Sequence, residues 1–355
     1  ALIRPLDNVD EGKMQQARRQ YIGQILKQNP DLTESFFALK KGGALDMGIG
    51  SAHEKKFLVR VEGPTAAPDD DVLLEKKQMK HQLLGRCVRG DASDPAATRT
   101  ACAGAAAVYN CAAPPYTDWP KLYPAIQKGL VEGAGAAGAV LVSAENVYVY
   151  GRVDGPMTED TPLAPCSRKG ELRARMFEEL MAAHRAGTVR VAVGRGPDYY
   201  GPEAVATTVY GERVFYNAIA GKPADIFGDP EARHTFAFVD DFARGLVTLG
   251  TRPEALGKAW HVPCPPALTQ RAMIERIYRA AGHPPKLRAM PGWLAKTIGL
   301  FVPIMRELAE MQYQWTMDYD FRSDRFLAAF GGGFVAHEEG VTRTLEWFAA
   351  NPKAK

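Results

Sequence analysis

From residue 87 onward, short apolar runs alternate with longer stretches in which apolar positions recur every three or four residues. The short runs at 87–89, 107–111, 139–143 and 189–194 read as strands, and the stretches at 95–103, 122–137 and 170–186 read as helices. Such alternation predicts βα units wound into a mostly parallel sheet. Beyond residue 201 the rhythm becomes irregular; helices are expected at 240–248 and 269–281, and this tail should form a small C-terminal cap. The expected class is therefore α/β, a Rossmann-like doubly wound parallel sheet with a cap.

The first 86 residues follow a different design, and rhythm and composition change near residues 84–87. Residues 8–28 carry the pattern of a polar amphipathic helix. Two strand-like runs follow, LVRVEG at 58–63 and DVLLEKK at 71–77, joined by a Pro/Ala/Asp-rich turn that predicts an antiparallel hairpin. This gives an N-terminal α+β segment over 1–85 and a second domain over 86–352. No internal repeat or low-complexity tract stands out.

Composition narrows the function classes. With 355 residues, 46% apolar and 24% charged, the chain can bury a sizeable core. The net charge is only +3 and the basic residues are interspersed with acidic ones, so no stripe is available for a phosphate backbone and no nucleic-acid partner is expected. The five cysteines, Cys87, Cys102, Cys111, Cys166 and Cys264, form no CxxC pair. They read as reduced thiols of a cytoplasmic protein, with no disulfide frame and no metal site. The polar opening ALIRPLDNVDEG is unlike a signal peptide, and the longest apolar stretch, around 299–305, is far short of a membrane span, so no membrane partner is expected. A chain that begins at Ala1 also suggests a fragment or a processed product.

Six segments taken in order carry the chemical reading. VRGDASDPAATRTACAGAAAVYNCAAP is followed by VLVSAENVYVYG and TEDTPLAP, then by VRVAVGRGPDYYGP, FAFVDDFARGLV and AWHVPCPPALTQRAMIERI. In order and spacing these resemble the extended short-chain dehydrogenase/reductases of the NAD(P)-dependent epimerase/dehydratase type, from their third strand to their C-terminus. The resemblance implies NAD or NADP as cofactor and a small carbonyl- or hydroxyl-bearing substrate of the nucleotide-sugar kind. It places Asp91 and Ala92 near the adenine and Ala112 and Ala113 along the cofactor. For Asp91 the competing role is a helix-start turn. Asp240 and Asp241 open a helix, where carboxylates complement the dipole, and read as structural. Arg195 and Lys222 are candidates to meet an anionic substrate, with plain solvent exposure as the alternative. Pairing of two copies through the helices at 122–137 and 170–186 is a further expectation.

Two parts of the family pattern are missing. No strand followed by a GxxGxxG loop and a helix precedes Cys87, and the one glycine cluster, GGALDMGIG at 42–50, leads into a strand pair. Losing several charge-assisted hydrogen bonds to the cofactor pyrophosphate, together with the helix dipole, costs on the order of 5 kcal/mol, roughly a thousandfold in affinity. The Tyr-x-x-x-Lys pair, whose ammonium eases proton transfer by the phenol, is also replaced. Within APCSRKGELRARMFEEL the resemblance sets Lys169 at the tyrosine position and Arg173 at the lysine position. The hydroxyl position falls on Ala144, with Ser143 one residue before it.

Two like charges one helical turn apart are expected to repel, which would make Lys169 a proton donor or, if buried, a weak base; the alternative is a solvated basic face. Tyr148 and Tyr150 offer replacement phenols, or simply pack. The expected function is thus an atypical or impaired NAD(P)-dependent epimerase, dehydratase or reductase. Its competitor is a non-catalytic Rossmann-like binding or scaffold domain in a chimeric or truncated chain.

The first 85 residues resemble the beginning of a bacterial family of unknown function, DUF2252, with a kinase-like fold. That resemblance implies a glycine loop in GIGSAH at 48–53 and a phosphate-pairing Lys77. If two half-matches are joined, the reductase sheet lacks its first two strands. Either a strand from within 58–77 fills the gap or the third strand is displaced.

Overall fold

A computed structural model describes residues 56–61, 71–77, 86–87, 90–205 and 208–352 of the chain. The helix expected at 8–28 and the GIGSAH segment lie outside the described residues. The chain divides into two compact units: residues 1–144, 176–192 and 250–258 form the first, and 145–175, 193–249 and 259–355 the second.

The first unit is built on a sheet of order β6-β5-β4-β2-β1-β3. These strands are β1 (Lys56–Val61), β2 (Asp71–Lys77), β3 (Arg86–Cys87), β4 (Ala105–Asn110), β5 (Val140–Glu145) and β6 (Arg190–Arg195). β4 and β5 are parallel, with Val108 opposite Leu141. Their near-continuous apolar burial follows from layers that cover both sheet faces, so neither strand needs a polar side.

The predicted hairpin is present, with Val59 opposite Leu74. Its second strand lies beside β4 in parallel, Leu73 opposite Val108. Of the two alternatives for the missing strands, the structure therefore takes the one in which a strand from 58–77 fills the gap. β1 runs antiparallel to both β2 and β3, so among the described strands β1 to β5 it is the one that is reversed.

Helix α1 (Pro95–Cys102) starts where Asp94 caps it, its carboxylate accepting from Ala96 N at 2.9 Å, with Pro95 preset for the first turn. It packs closely on α2 (Trp119–Ala137) because two glycines of α2 face it. A Cβ at Gly129 would stand 2.1 Å from the Ala92 carbonyl oxygen, and one at Gly133 would stand 2.8 Å from Thr98. Thr98 Oγ1 uses the approach to donate to the Gly129 carbonyl at 2.6 Å. α2 ends at Gly138, whose φ of 66° is the left-handed cap that glycine adopts without strain.

Helix α3 (Arg168–Arg185) runs from the second unit into the first. In the second unit β11 (Ala259–His261) pairs in parallel with the end of β6, His261 opposite Arg195. The cap follows. Its short strands are β7 (Asp198–Tyr200), β8 (Ala224–Phe227), β9 (Arg233–His234), β10 (Phe236–Phe238), β12 (Leu268–Thr269) and β13 (Leu287–Met290). They pair as β7 with β10, β8 with β13 and β9 with β12.

Helices α4 (Glu212–Ile219), α5 (Val239–Thr251), α6 (Gln270–Ala280), α7 (Gly292–Gly299), α8 (Pro303–Glu310), α9 (Asp324–Phe330) and α10 (His337–Ala350) complete the chain. Phe215, Phe236, Phe238, Ile274, Ile277 and Phe348 centre the cap core. Asp240 and Asp241 open α5 as structural groups: Asp240 pairs with Arg343, and buried Asp241 accepts from Arg244 and from Val335 N.

Candidate active site

The cofactor-side positions belong to the first unit. Asp91 is exposed and shapes the turn before α1: its Oδ1 accepts from Ser93 N at 2.8 Å and from Ser93 Oγ at 2.6 Å, while its carbonyl accepts from Asp94 N. The turn role weighed for Asp91 is thus present, and Asp94, unremarked in the sequence, is the cap itself. Ala92 is buried under Gly129. After β4, buried Asn110 accepts from Ala112 N at 3.3 Å; Ala112 is buried and Ala113 exposed. Ser143 is fully buried on β5, and Ala144 beside it is half-buried.

These small residues and the exposed Asp91 carboxylate suit the adenosine half of a dinucleotide. No pyrophosphate cradle is found among the described residues, and residues 78–85 between β2 and β3 contain a single glycine, Gly85.

The charged positions belong to the second unit. Ser167 starts α3, its Oγ accepting from Gly170 N at 3.0 Å. Lys169 and Arg173 stand one turn along, only 4% and 1% exposed. Neither is part of a solvated basic face. Lys169 Nζ donates to Glu307, and to Glu310 at 3.2 Å, and its backbone N–H donates to Glu310 at 3.2 Å. Arg168 reaches the same two carboxylates. Burial pushes the Glu310 pKa up, but the Lys169 ammonium, its two hydrogen bonds and Arg168 outweigh it, and the group is held below the usual carboxylate value.

Arg173 turns instead to Glu145 at the end of β5, Nη2 to Oε1 3.3 Å, and Arg195 approaches the other carboxylate oxygen at 3.9 Å. The repulsion expected between Lys169 and Arg173 is therefore offset by separate carboxylates. Three of these partners, Glu145, Glu307 and Glu310, were missed in the sequence. A carboxylate closing the apolar run VLVSAE, and an acidic pair three apart on a short helix, were the available signals.

Arg195 is buried, not solvent-exposed, and begins a second chain of contacts. Its Nη1 donates to Tyr150 Oη at 2.8 Å, with the guanidinium 5.1 Å from the ring centroid. Tyr150 Oη lies 2.7 Å from His261 Nε2, and His261 Nδ1 lies 2.7 Å from the Arg322 carbonyl. A carbonyl only accepts, so Nδ1 carries the hydrogen. Burial, with Arg195 and Arg325 adding to it against the Arg322 hydrogen bond, lowers the His261 pKa to about 3 and keeps the ring neutral. Nε2 then accepts from the Tyr150 hydroxyl. Burial also raises the Tyr150 pKa, against the pull of Arg195.

Tyr148 is half-buried at the strand end, its N–H donating to Asn146, while Lys222 is exposed on the cap. Lys77 ends β2 opposite Lys56. Among the described residues no group of three or more His, Cys, Asp or Glu is placed to hold a metal ion.

Residues 57–262 match the NAD dependent epimerase/dehydratase family. The chain belongs to that family. The match takes in β1 and β2, upstream of the junction inferred from rhythm, and ends just after β11.

Among curated proteins the chain is similar to a probable UDP-glucuronate 4-epimerase of Rhizobium meliloti (strain 1021), 27% identical over 37% of this chain and 38% of the relative. It is also similar to a dTDP-glucose 4,6-dehydratase of Streptomyces niveus, 25% identical over 57% of this chain and 55% of the relative. The matched parts thus span about two fifths to a little over half of these relatives' length.

Among solved structures it resembles the dTDP-glucose 4,6-dehydratase DesIV of Streptomyces venezuelae with NAD bound. The TM-score is 0.61 at 20% identity, over 74% of this chain and 79% of that one. A UDP-glucuronic acid 4-epimerase of Bacillus cereus in complex with NAD gives a TM-score of 0.58 at 16% identity, over 70% and 76%. These likenesses establish the Rossmann-like fold. Among the described residues no helix is long and apolar enough to cross a membrane.

Proposed function

We propose that the chain is an atypical NAD(P)-dependent epimerase, dehydratase or reductase acting on a small carbonyl- or hydroxyl-bearing substrate of the nucleotide-sugar kind. One observation carries the reading: the helix on which the resemblance sets the family's proton-handling pair keeps two buried cations at those positions, each with its own carboxylates. Burying charge is costly, and a surface that had simply lapsed would leave Lys169 and Arg173 in water.

The adenosine half of the cofactor would be held by Asp91, Ala92, Ala112 and Ala113, and Ser143 and Arg195 are further candidate cofactor contacts. NAD or NADP, when bound, supplies hydride transfer. The reading extends to assembly as a homodimer through α2 and α3 and to the cytoplasm, where the thiols of Cys102, Cys111, Cys166 and Cys264, none of them in a disulfide, stay reduced.

A second reading, a non-catalytic binding or scaffold domain, is favoured by one feature. An ammonium offers only donors, and Lys169 already donates to Glu307 and Glu310. Incubation of the protein with NAD and UDP- or dTDP-linked sugars, followed by separation of the nucleotide sugars, tests both. An epimerised, dehydrated or oxidised product whose yield falls in Lys169→Ala supports the enzyme. Nucleotide-sugar binding without any turnover supports the binding domain and ends the first reading.

A further inference from the structure

Helices α7 and α8 form a hairpin whose tip is apolar and open to solvent. Leu300 is 77% exposed, Phe301 83%, Val302 39% and Ile304 47%. Four consecutive or near-consecutive apolar side chains in water form a patch, unlike the singly scattered hydrophobes of an ordinary surface. The charge along this segment is one-sided. From 284 to 306 the chain carries Lys286, Arg288, Lys296 and Arg306 and no acidic residue.

Among the described residues, Lys286 and Arg306 meet no carboxylate, and Arg288 meets Asp225 at 2.6 Å. The next acids along the chain, Glu307 and Glu310, are neutralised by Lys169 and Arg168. An apolar tip on a segment that carries basic residues and no acidic one suits an anionic lipid surface: the tip enters the boundary between headgroups and acyl chains while the basic groups meet the headgroups.

We infer that the α7–α8 hairpin docks this protein peripherally on anionic lipid bilayers, through insertion of Leu300 and Phe301. This is surface contact, independent of any membrane-crossing helix and of the reading proposed for the active site. Against a second copy of the chain as occupant stands charge: two such tips would bring like-charged segments together.

Co-sedimentation of the whole chain with phosphatidylcholine vesicles, with and without phosphatidylglycerol, tests the inference. The wild type is expected to sediment with the phosphatidylglycerol vesicles and to be released as salt rises. Leu300→Ser combined with Phe301→Ser should weaken this binding about tenfold or more, because both side chains leave the hydrocarbon boundary. Arg306→Glu should weaken it also. Leu300, Phe301 and Arg306 are all exposed, so unchanged thermal unfolding of the variants will show that the fold is intact. Failure to sediment with either vesicle, equal binding to both, or binding unaffected by the serine substitutions overturns the inference. So does concentration-dependent self-association that the serine substitutions abolish while vesicles capture nothing.

Discussion

Glu145 Oε1 stands 3.3 Å from Arg173 Nη2 with both side chains removed from solvent, and Arg195 closes on the other carboxylate oxygen at 3.9 Å. The carboxylate comes from the end of β5 and the two cations from α3 and the end of β6, so one buried anion ties together three residues of the second unit that are far apart in the chain.

Removing that anion leaves two buried cations uncompensated. Glu145→Ala is therefore expected to destabilise the fold by about 3–5 kcal/mol in urea unfolding, the range for one lost partner of a buried pair. Replacing Glu145 and Arg173 together with methionine should cost less than the sum of the single changes, because each is then spared an unmatched partner. Additive losses would mean the two side chains do not act as a pair.

His261 gives a pH signature. Its folded pKa, lowered to about 3, lies below the ordinary value of 6.5. Below pH 6.5 the unfolded chain takes up a proton that the folded chain does not, so stability falls as pH drops from 6.5 toward 3. By linkage the loss reaches up to about 2 kcal/mol between pH 6.5 and 5. The slope of stability against pH in that window should flatten in His261→Gln, whatever that variant's stability at neutral pH.

Glu310 acts in a lower window. Its folded pKa is held below the ordinary 4.5, so its pairing contributes stability above that value and loses it as pH falls below it, through the depressed folded value. The stability difference between wild type and Lys169→Ala should shrink as solutions are acidified through this range. A difference independent of pH would assign Lys169 to packing alone.

Gly129 holds α1 and α2 at close approach. Gly129→Ala places a methyl group against the Ala92 carbonyl and is expected to cost about 1–3 kcal/mol. Gly155, where a Cβ meets nothing within 4 Å, is the control, and Gly155→Ala should leave thermal unfolding nearly unchanged.

How much of this was legible in the sequence depended on the range of the interactions. The continuous apolar runs of β4, β5 and β6 identify a covered parallel sheet because each strand is buried on both faces, and helix starts such as that at Asp94 are local chemistry. The place of β2 beside β4 was legible only as one of two options, since a hairpin pattern does not name its outer neighbour. Lys169 and Arg173 were found by position, but their surroundings were misread. Sequence spacing shows that they neighbour each other, whereas Glu307 and Glu310 lie some 140 residues further along. The burial of Arg195 was not legible for the same reason: its partners Glu145 and Tyr150 are supplied by another strand and its following turn.

The most direct test of the central claim, an atypical family member with a weakened cofactor site, is a fluorescence titration of the purified chain with NADH and NADPH. Without the glycine loop, saturable binding should appear only in the high micromolar to millimolar range, roughly a thousandfold weaker than a micromolar site. Saturation at micromolar concentration would show that residues before β3 rebuild a pyrophosphate cradle. No saturable binding at all would contradict the claim from the other side and leave the binding-domain reading in its place.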